Sequence, residues 1–195
     1  MIQMTIERVR RNNRWEVSGI PDGESGRFSI MSCTPETGPP SWQNYANFAN
    51  LPDQTYTVLF EDFGSKLNIM QDSHREFDEH IWMLDRMKGD VLIGGLGIGM
   101  INIPLLESDE VTSVTIIEKN QDVIDLVWDH CAKDGRFTLV HDDVNTWNIP
   151  EGNSWDVAWF DTWLTHEEPL QTYIDRIREK YGDYATEING WNWPE

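Results

Sequence analysis

Polar and apolar positions along the chain change their period near residue 73. Upstream, apolar residues come in short runs and alternations. Met4-Thr5-Ile6 and Trp15-Glu16-Val17 flank Asn12-Asn13 and predict a hairpin. Pro21-Asp22-Gly23 marks a turn, and residues 27–32 predict a short strand after it. The stretch 33–53 holds Pro35, Gly38, Pro39, Pro40 and Pro52 and predicts a loop. Residues 56–60 and 66–71 surround Asp62-Phe63-Gly64 and predict a second hairpin.

From His74 the period is that of a helix. Phe77, Ile81, Leu84 and Met87 follow spacings of four, three and three. Ser73 is placed to cap its first turn, with Glu76 three residues on, and Lys88-Gly89 closes it. Strand and helix signals then alternate. Residues 91–93, 111–117, 137–140 and 156–160 predict strands, and 184–188 a weaker one. Residues 99–106, 121–131 and 169–181 predict helices, the first kept short or kinked by Pro104. Such alternation implies an α/β fold: a mostly parallel, Rossmann-like sheet with helices on both faces. The expected organisation is an N-terminal β-hairpin region, 1–72, and a Rossmann-like domain, 73–195. Past 181 there is room for one more strand, so the sheet is expected to be C-terminally short, or completed by a second subunit in a homodimer.

Charge narrows the function classes. Fifteen Lys and Arg against 34 Asp and Glu give a formal net charge of −19. That balance repels phosphate backbones and excludes nucleic acid as the expected partner, while cationic ligands are attracted. An acidic chain can also mimic DNA, but here the acids are spread, densest at 72–79 and 107–110. No apolar run approaches the roughly 20 residues that cross a bilayer. The start of the chain has no signal-peptide pattern, and Cys33 and Cys131 form no metal or redox motif. A cytoplasmic setting without membrane contact is expected.

The chemistry concentrates after the first strand of the second region. Val91-Leu92-Ile93 leads into Gly94-Gly95-Leu96-Gly97-Ile98-Gly99 and then a helix. Glycines there allow positive φ and close backbone approach to a ligand. Val114-Thr115-Ile116-Ile117-Glu118 is a strand ending in an acid twenty-three residues past Gly95. A carboxylate at that place can hold both hydroxyls of a ribose. A dinucleotide fingerprint would need its third glycine where Met100 stands.

The G-x-G-x-G spacing resembles motif I of class I S-adenosylmethionine-dependent methyltransferases. The resemblance implies that Gly95, Leu96, Gly97 and Gly99 form the cofactor turn and that Glu118 holds the ribose. Leu139-Val140-His141-Asp142-Asp143-Val144 matches the family's third strand. This implies that Asp143, with Asp142 second, accepts from the adenine amino group while the backbone of Val144 meets the ring. Trp155-Asp156-Val157-Ala158-Trp159-Phe160-Asp161 is similar to the fourth strand, which ends beside the reactive carbon. Taken singly, Asp143 also reads as a helix cap and Asp161 as a turn residue.

Within the superfamily, the chain looks most like spermidine synthases over most of 55–165. Glu76-Phe77 stands where that family has Asp-Glu-Phe, and Asp161-Thr162 where it has Asp-Ser-Ser-Asp. Arg75, Ile98 and Leu164 replace acids of that pattern. The Gly-Leu-Gly-Ile-Gly-Met box is similar to that of short phage proteins.

Other candidates are weaker signals. His74, Glu76, Asp78 and His80 share i,i+4 pairings that could ligate a metal, but a charged helix face is more often solvated and no metal is expected. His141 and His166 follow strand ends, and His166 could act as a base near neutral pH. Trp163, just past Asp161, could stack on a ring or meet a cation. Trp155 and Trp159 read as core, and Trp191 and Trp193 as a docking tail.

The expected activity is an S-adenosylmethionine-dependent transferase. It would move a methyl or, from decarboxylated S-adenosylmethionine, an aminopropyl group to a small, amine-bearing acceptor. Asp161 and His166 are the candidate catalytic residues, and Glu76, His80 and Trp163 the candidate substrate contacts. The alternative is an inactive fold serving as an interaction module, such as an acidic phage decoy.

Overall fold

The computed structural model describes residues 7, 9, 11, 12, 14–17, 19–162 and 168–194. Its backbone divides into two units that interleave along the chain. One takes Met1–Asp78, Gly97–Ile103 and Gln121–Ala132; the other takes Glu79–Leu96, Pro104–Asn120 and Lys133–Glu195.

The first unit is built on an antiparallel sheet. Strands β1 (Gly23–Ser25), β2 (Phe28–Cys33), β3 (Tyr56–Asp62) and β4 (Lys66–Gln71) lie in chain order. The hairpin predicted around Asp62-Phe63-Gly64 is β3–β4, and 27–32 is β2. Every residue of β3 but the last is buried. The stretch 33–53, expected to be a loop, contains helix α1 (Pro40–Phe48). Pro40 occupies the first turn, where a missing N–H costs nothing and the fixed φ suits a helix. The prolines therefore start a helix instead of excluding one. Trp42 and Ala46 on α1 pack with Tyr56, Val58 and Phe60 of β3.

The hairpin expected around Asn12-Asn13 does not form among the described residues. Glu7, Val9, Arg11 and Asn12 are helical; Met4-Thr5-Ile6 lies outside the described residues. Trp15 and Val17 are tied instead to Asp72, by N–H bonds to its carbonyl (3.1 Å) and carboxylate (3.3 Å). Arg14 grips the same carboxylate through Nη2 at 2.6 Å and Nε at 3.0 Å, and Thr57 N–H adds a bond of 2.8 Å. Burial pushes the Asp72 carboxyl above its ordinary range against the opposing pull of Arg14 and these donors.

The helix expected from His74 is broken into α2 (His74–Glu79) and α3 (Ile81–Leu84). Ser73 does not cap it: its hydroxyl is buried without a hydrogen-bond partner, and Glu76 accepts from Gln71 Nε2 at 2.6 Å.

The second unit carries the parallel sheet. Strands β5 (Gly89–Gly94), β6 (Val111–Glu118), β7 (Phe137–His141), β8 (Trp155–Phe160) and β9 (Ala185–Gly190) are ordered β7-β6-β5-β8-β9. All neighbours are parallel. This is the Rossmann-like sheet that the alternating pattern predicts. Helix α4 (Asn102–Glu107) follows β5, and α5 (Gln121–Val127) follows β6; both are shorter than their periodicity suggests. Helix α6 (Leu170–Tyr181) packs Tyr173, Ile174, Ile177 and Tyr181 on Phe160, Val144, Trp155 and Trp193. Trp193 of the tail thus docks on the body, stacked 5° from the plane of Phe160. Trp155 and Trp159 are core residues. No helix among the described residues is long and apolar enough to cross a membrane.

Removing Arg14 leaves the Asp72 carboxylate buried and unpaired. Arg14→Ala should cost about 3–5 kcal/mol at pH 7 by urea denaturation. Because the folded carboxyl binds its proton more tightly than the unfolded one, ionisation opposes folding. The cost of Arg14→Ala should therefore be smaller at pH 4, where Asp72 takes up a proton, and grow as pH rises. A loss independent of pH would show that Asp72 is not the group responsible.

Candidate functional site

The strand order reverses its direction of growth at β5: β6 lies on one side, β8 on the other. Open α/β sheets bind ligands beyond the carboxyl ends of strands at such a switch point. In the second unit those ends bring together Gly94-Gly95-Leu96, Glu118 and Asp161.

Gly95 is held between both neighbours. Its N–H donates to the carbonyl of Ile117 at 2.8 Å, and Asp161 N–H donates to the Gly94 carbonyl at 2.9 Å. At φ +97° a side chain on Gly95 would be strained, and its Cβ would stand 2.7 Å from the Asp161 carbonyl oxygen.

Glu118 ends β6 with its side chain buried. One carboxylate oxygen accepts from Leu96 N–H at 2.9 Å and the other from Asn120 N–H at 2.8 Å. An ionised carboxylate has about four acceptor positions. Each Glu118 oxygen therefore keeps a lone pair, a pattern that fits two adjacent hydroxyls.

At the end of β7, Asp143 Oδ1 accepts from the backbone and side-chain amides of Asn145, at 2.8 and 2.7 Å. It caps a turn closed by Thr146 and Trp147 N–H on its carbonyl. Asp143 thus caps a turn and not a helix; its Oδ2 takes no part in these bonds. Asp142 Oδ1 accepts from Asp143 N–H at 2.7 Å. Val144 is buried, and its carbonyl accepts from the Tyr181 hydroxyl at 2.7 Å. Arg176 of α6 braces this turn, donating to Asn145 Oδ1 at 2.8 Å and pairing with Glu168.

Asp161 lies beyond β8 with about a fifth of its side chain exposed. His80, at the break between α2 and α3, is buried with Nε2 3.5 Å from Asp161 Oδ2. The His80 ring lies 5.4 Å from that of Trp159, which stacks on Trp82. The neighbouring Thr162 hydroxyl shares a hydrogen bond of 2.7 Å with Tyr173. Burial pushes the Tyr173 phenol well above its ordinary range, so it stays protonated.

The remaining predicted positions are described each within its own unit. Gly97 and Gly99 belong to the first unit. A Cβ on Gly97 would stand 2.4 Å from Met70 Sδ, whose sulfur also accepts from Ile98 N–H at 3.4 Å. A Cβ on Gly99 would stand 2.6 Å from Cys131 Cβ. These two glycines make room for the chain's own side chains. Glu76 is buried against Gln71 in the first unit. His141 is exposed and within hydrogen-bond distance, 3.2 Å, of the Lys119 carbonyl. Trp163 and His166 lie outside the described residues. Among those described, no three His, Cys, Asp or Glu side chains group as a metal site.

Sequence reasoning missed Tyr173 and Arg176, which looked like ordinary helix positions, and the contact of His80 with Asp161. Only the break at His80 could have signalled that contact, and apolar periodicity runs straight through it.

No protein-family model and no curated protein matches the chain. Solved structures do. A dimethyladenosine transferase from Plasmodium falciparum is similar at 20% identity, over 52% of this chain and 36% of that one, with a TM-score of 0.39. The Escherichia coli protein yhhF, assigned as a methyltransferase, is similar at 13% identity over 85% of each chain, with a TM-score of 0.45. Spermidine synthase from Thermotoga maritima is similar at 16% identity over 54% of this chain and 43% of that one, with a TM-score of 0.35. The chain thus spans less than half the length of two of these three. What the structure itself shows is a five-stranded parallel, Rossmann-like sheet in the order β7-β6-β5-β8-β9.

The glycines should not be equivalent. Gly95→Ala meets a backbone carbonyl that cannot move aside and should cost about 2–3 kcal/mol or more. Gly97→Ala, at φ +52°, meets a flexible thioether and should cost about 1–2 kcal/mol. Urea denaturation of both variants checks the order; equal costs would contradict it.

Proposed function

We propose that the second unit binds S-adenosylmethionine, or its decarboxylated form, and that the chain transfers a methyl or aminopropyl group to a small, amine-bearing acceptor. The observation that carries this reading is the Gly95–Leu96–Glu118 arrangement at the switch point. There a glycine turn presses against the neighbouring strand end, and a buried carboxylate is fixed by two amides with acceptor capacity left for a diol.

In this reading Glu118 holds the ribose hydroxyls. Asp143, through Oδ2, and Asp142 are the acceptors for the adenine amino group, beside the buried Val144. The cofactor supplies an electrophilic carbon next to a sulfonium. Asp161 faces the reacting centre and takes the acceptor's proton or holds its positive charge. The bonds of Gly95 and Asp161 to their neighbours keep both sides of the site in register. Such positioning can supply roughly 7–11 kcal/mol of a transfer barrier. The formal charge of −19 favours cationic ligands over nucleotides rich in phosphate.

Thermal unfolding with S-adenosylmethionine, its decarboxylated form, methylthioadenosine and NAD in separate wells tests the reading. A ligand at a hundredfold its dissociation constant stabilises by about 2.7 kcal/mol, a rise of roughly 5–10 °C. The sulfonium nucleosides should give that rise and NAD should not. Glu118→Gln, which retains one acceptor oxygen, should lose at least about tenfold in affinity, the scale of a charged hydrogen bond. Asp161→Asn should keep binding. No rise with any nucleoside at millimolar concentration would overturn the reading and favour a non-catalytic interaction module.

A further inference from the structure

We propose that His80 is the positioning residue for Asp161, and that the two form one proton-accepting pair for the transfer reaction. The inference rests on the function proposed above, but its geometry stands separately. Nε2 of His80 is 3.5 Å from Asp161 Oδ2, within ion-pair range when the imidazole is protonated. The histidine side chain is 4% exposed and the carboxylate 22%, so the histidine lies behind the carboxylate relative to solvent. An acceptor can reach Asp161; it does not reach His80 directly.

The surroundings restrict the imidazole. Trp159 packs against it from β8, and Trp82 of α3 stacks on Trp159. Trp159 stands two residues before Asp161, which lies just beyond β8. Two charged groups near His80 in the chain are engaged elsewhere. Glu79, preceding His80, accepts from the Trp191 indole. Arg86 lies over Trp82 and pairs with Glu187 of β9 at 3.3 Å. Asp161 is a carboxylate that the structure places within ion-pair distance of His80.

Such a pair has two uses. A protonated imidazole fixes the direction of the Asp161 carboxylate. A neutral imidazole can take a proton relayed through that carboxylate. The step assigned to the pair is a proton transfer alone. An N–H bond of the acceptor breaks and leaves its electron pair on nitrogen. The proton forms an O–H bond on Asp161, or passes on to form an N–H bond on His80. The acceptor class this serves is a nitrogen nucleophile that carries a dissociable proton. Acceptors that surrender no proton would gain nothing from His80.

The test follows the imidazole C2–H resonances by NMR from pH 5 to 9 in the wild-type chain and in Asp161→Asn, without cofactor. His80→Gln identifies the His80 signal; if that variant fails to fold, contacts of the signal to the Trp159 ring identify it instead. An opposite charge at this range raises a histidine by about one unit or more. The His80 midpoint should therefore fall by about one unit in Asp161→Asn, while exposed His130 and His141 stay within about 0.2. A histidine not coupled to Asp161 would show no such fall, and an unchanged midpoint overturns the proposal. The titration is read without nucleoside. A failed thermal shift with S-adenosylmethionine would thus count against the transferase reading while leaving the measured coupling intact.

Discussion

The end of β5 must bond to both neighbouring strands within a single turn, and the second unit is organised around that constraint. Gly95 N–H meets the carbonyl of Ile117, while the Gly94 carbonyl receives Asp161 N–H. Both contacts need backbone where other residues carry a side chain. A Cβ on Gly94 would stand 2.5 Å from the Phe160 ring, and one on Gly95 would strike the Asp161 carbonyl. Once the turn closes, Leu96 N–H reaches Glu118, and the ends of β6 and β8 are fixed on either side of it. The candidate site is a by-product of this closure.

An acidic chain has to manage its own carboxylates, and three of them show how they are held. Glu118 is satisfied by two backbone amides, Asp72 by Arg14 and two more amides, and Asp161 stands against His80. These holdings differ in what they leave over. Asp72 is enclosed completely and can only stabilise or destabilise the fold. Glu118 retains acceptor capacity, and Asp161 retains exposure. Residual capacity, and not charge alone, separates a structural carboxylate from one available to a ligand.

The glycine box illustrates how a motif can serve two purposes. Its spacing resembles a cofactor turn, and Gly95 sits at the carboxyl end of β5 between both neighbouring strands. Gly97 and Gly99 have an internal reason to lack side chains, because Met70 and Cys131 fill the space. At Gly97 and Gly99 close packing by itself accounts for the missing side chains.

The sequence by itself determined the parallel sheet. Each strand is a short apolar run, and the helical segments between them carry their own period, so strand number and type follow from burial alone. It also determined the positions of Glu118, Asp143 and Asp161, since acids at strand ends are read directly from where apolar runs stop. Helix α1 was hidden because prolines signal a loop unless they fall in a first turn, and only packing of Trp42 and Ala46 on β3 shows that they do. Among the described residues the N-terminal hairpin is absent, because Asp72, more than fifty residues away, takes the backbone donors of Trp15 and Val17. The contact between His80 and Asp161 was decided by tertiary structure in the same way. Periodicity records which face of a helix is apolar; it carries no information on where the helix breaks to bring one polar side chain onto another strand.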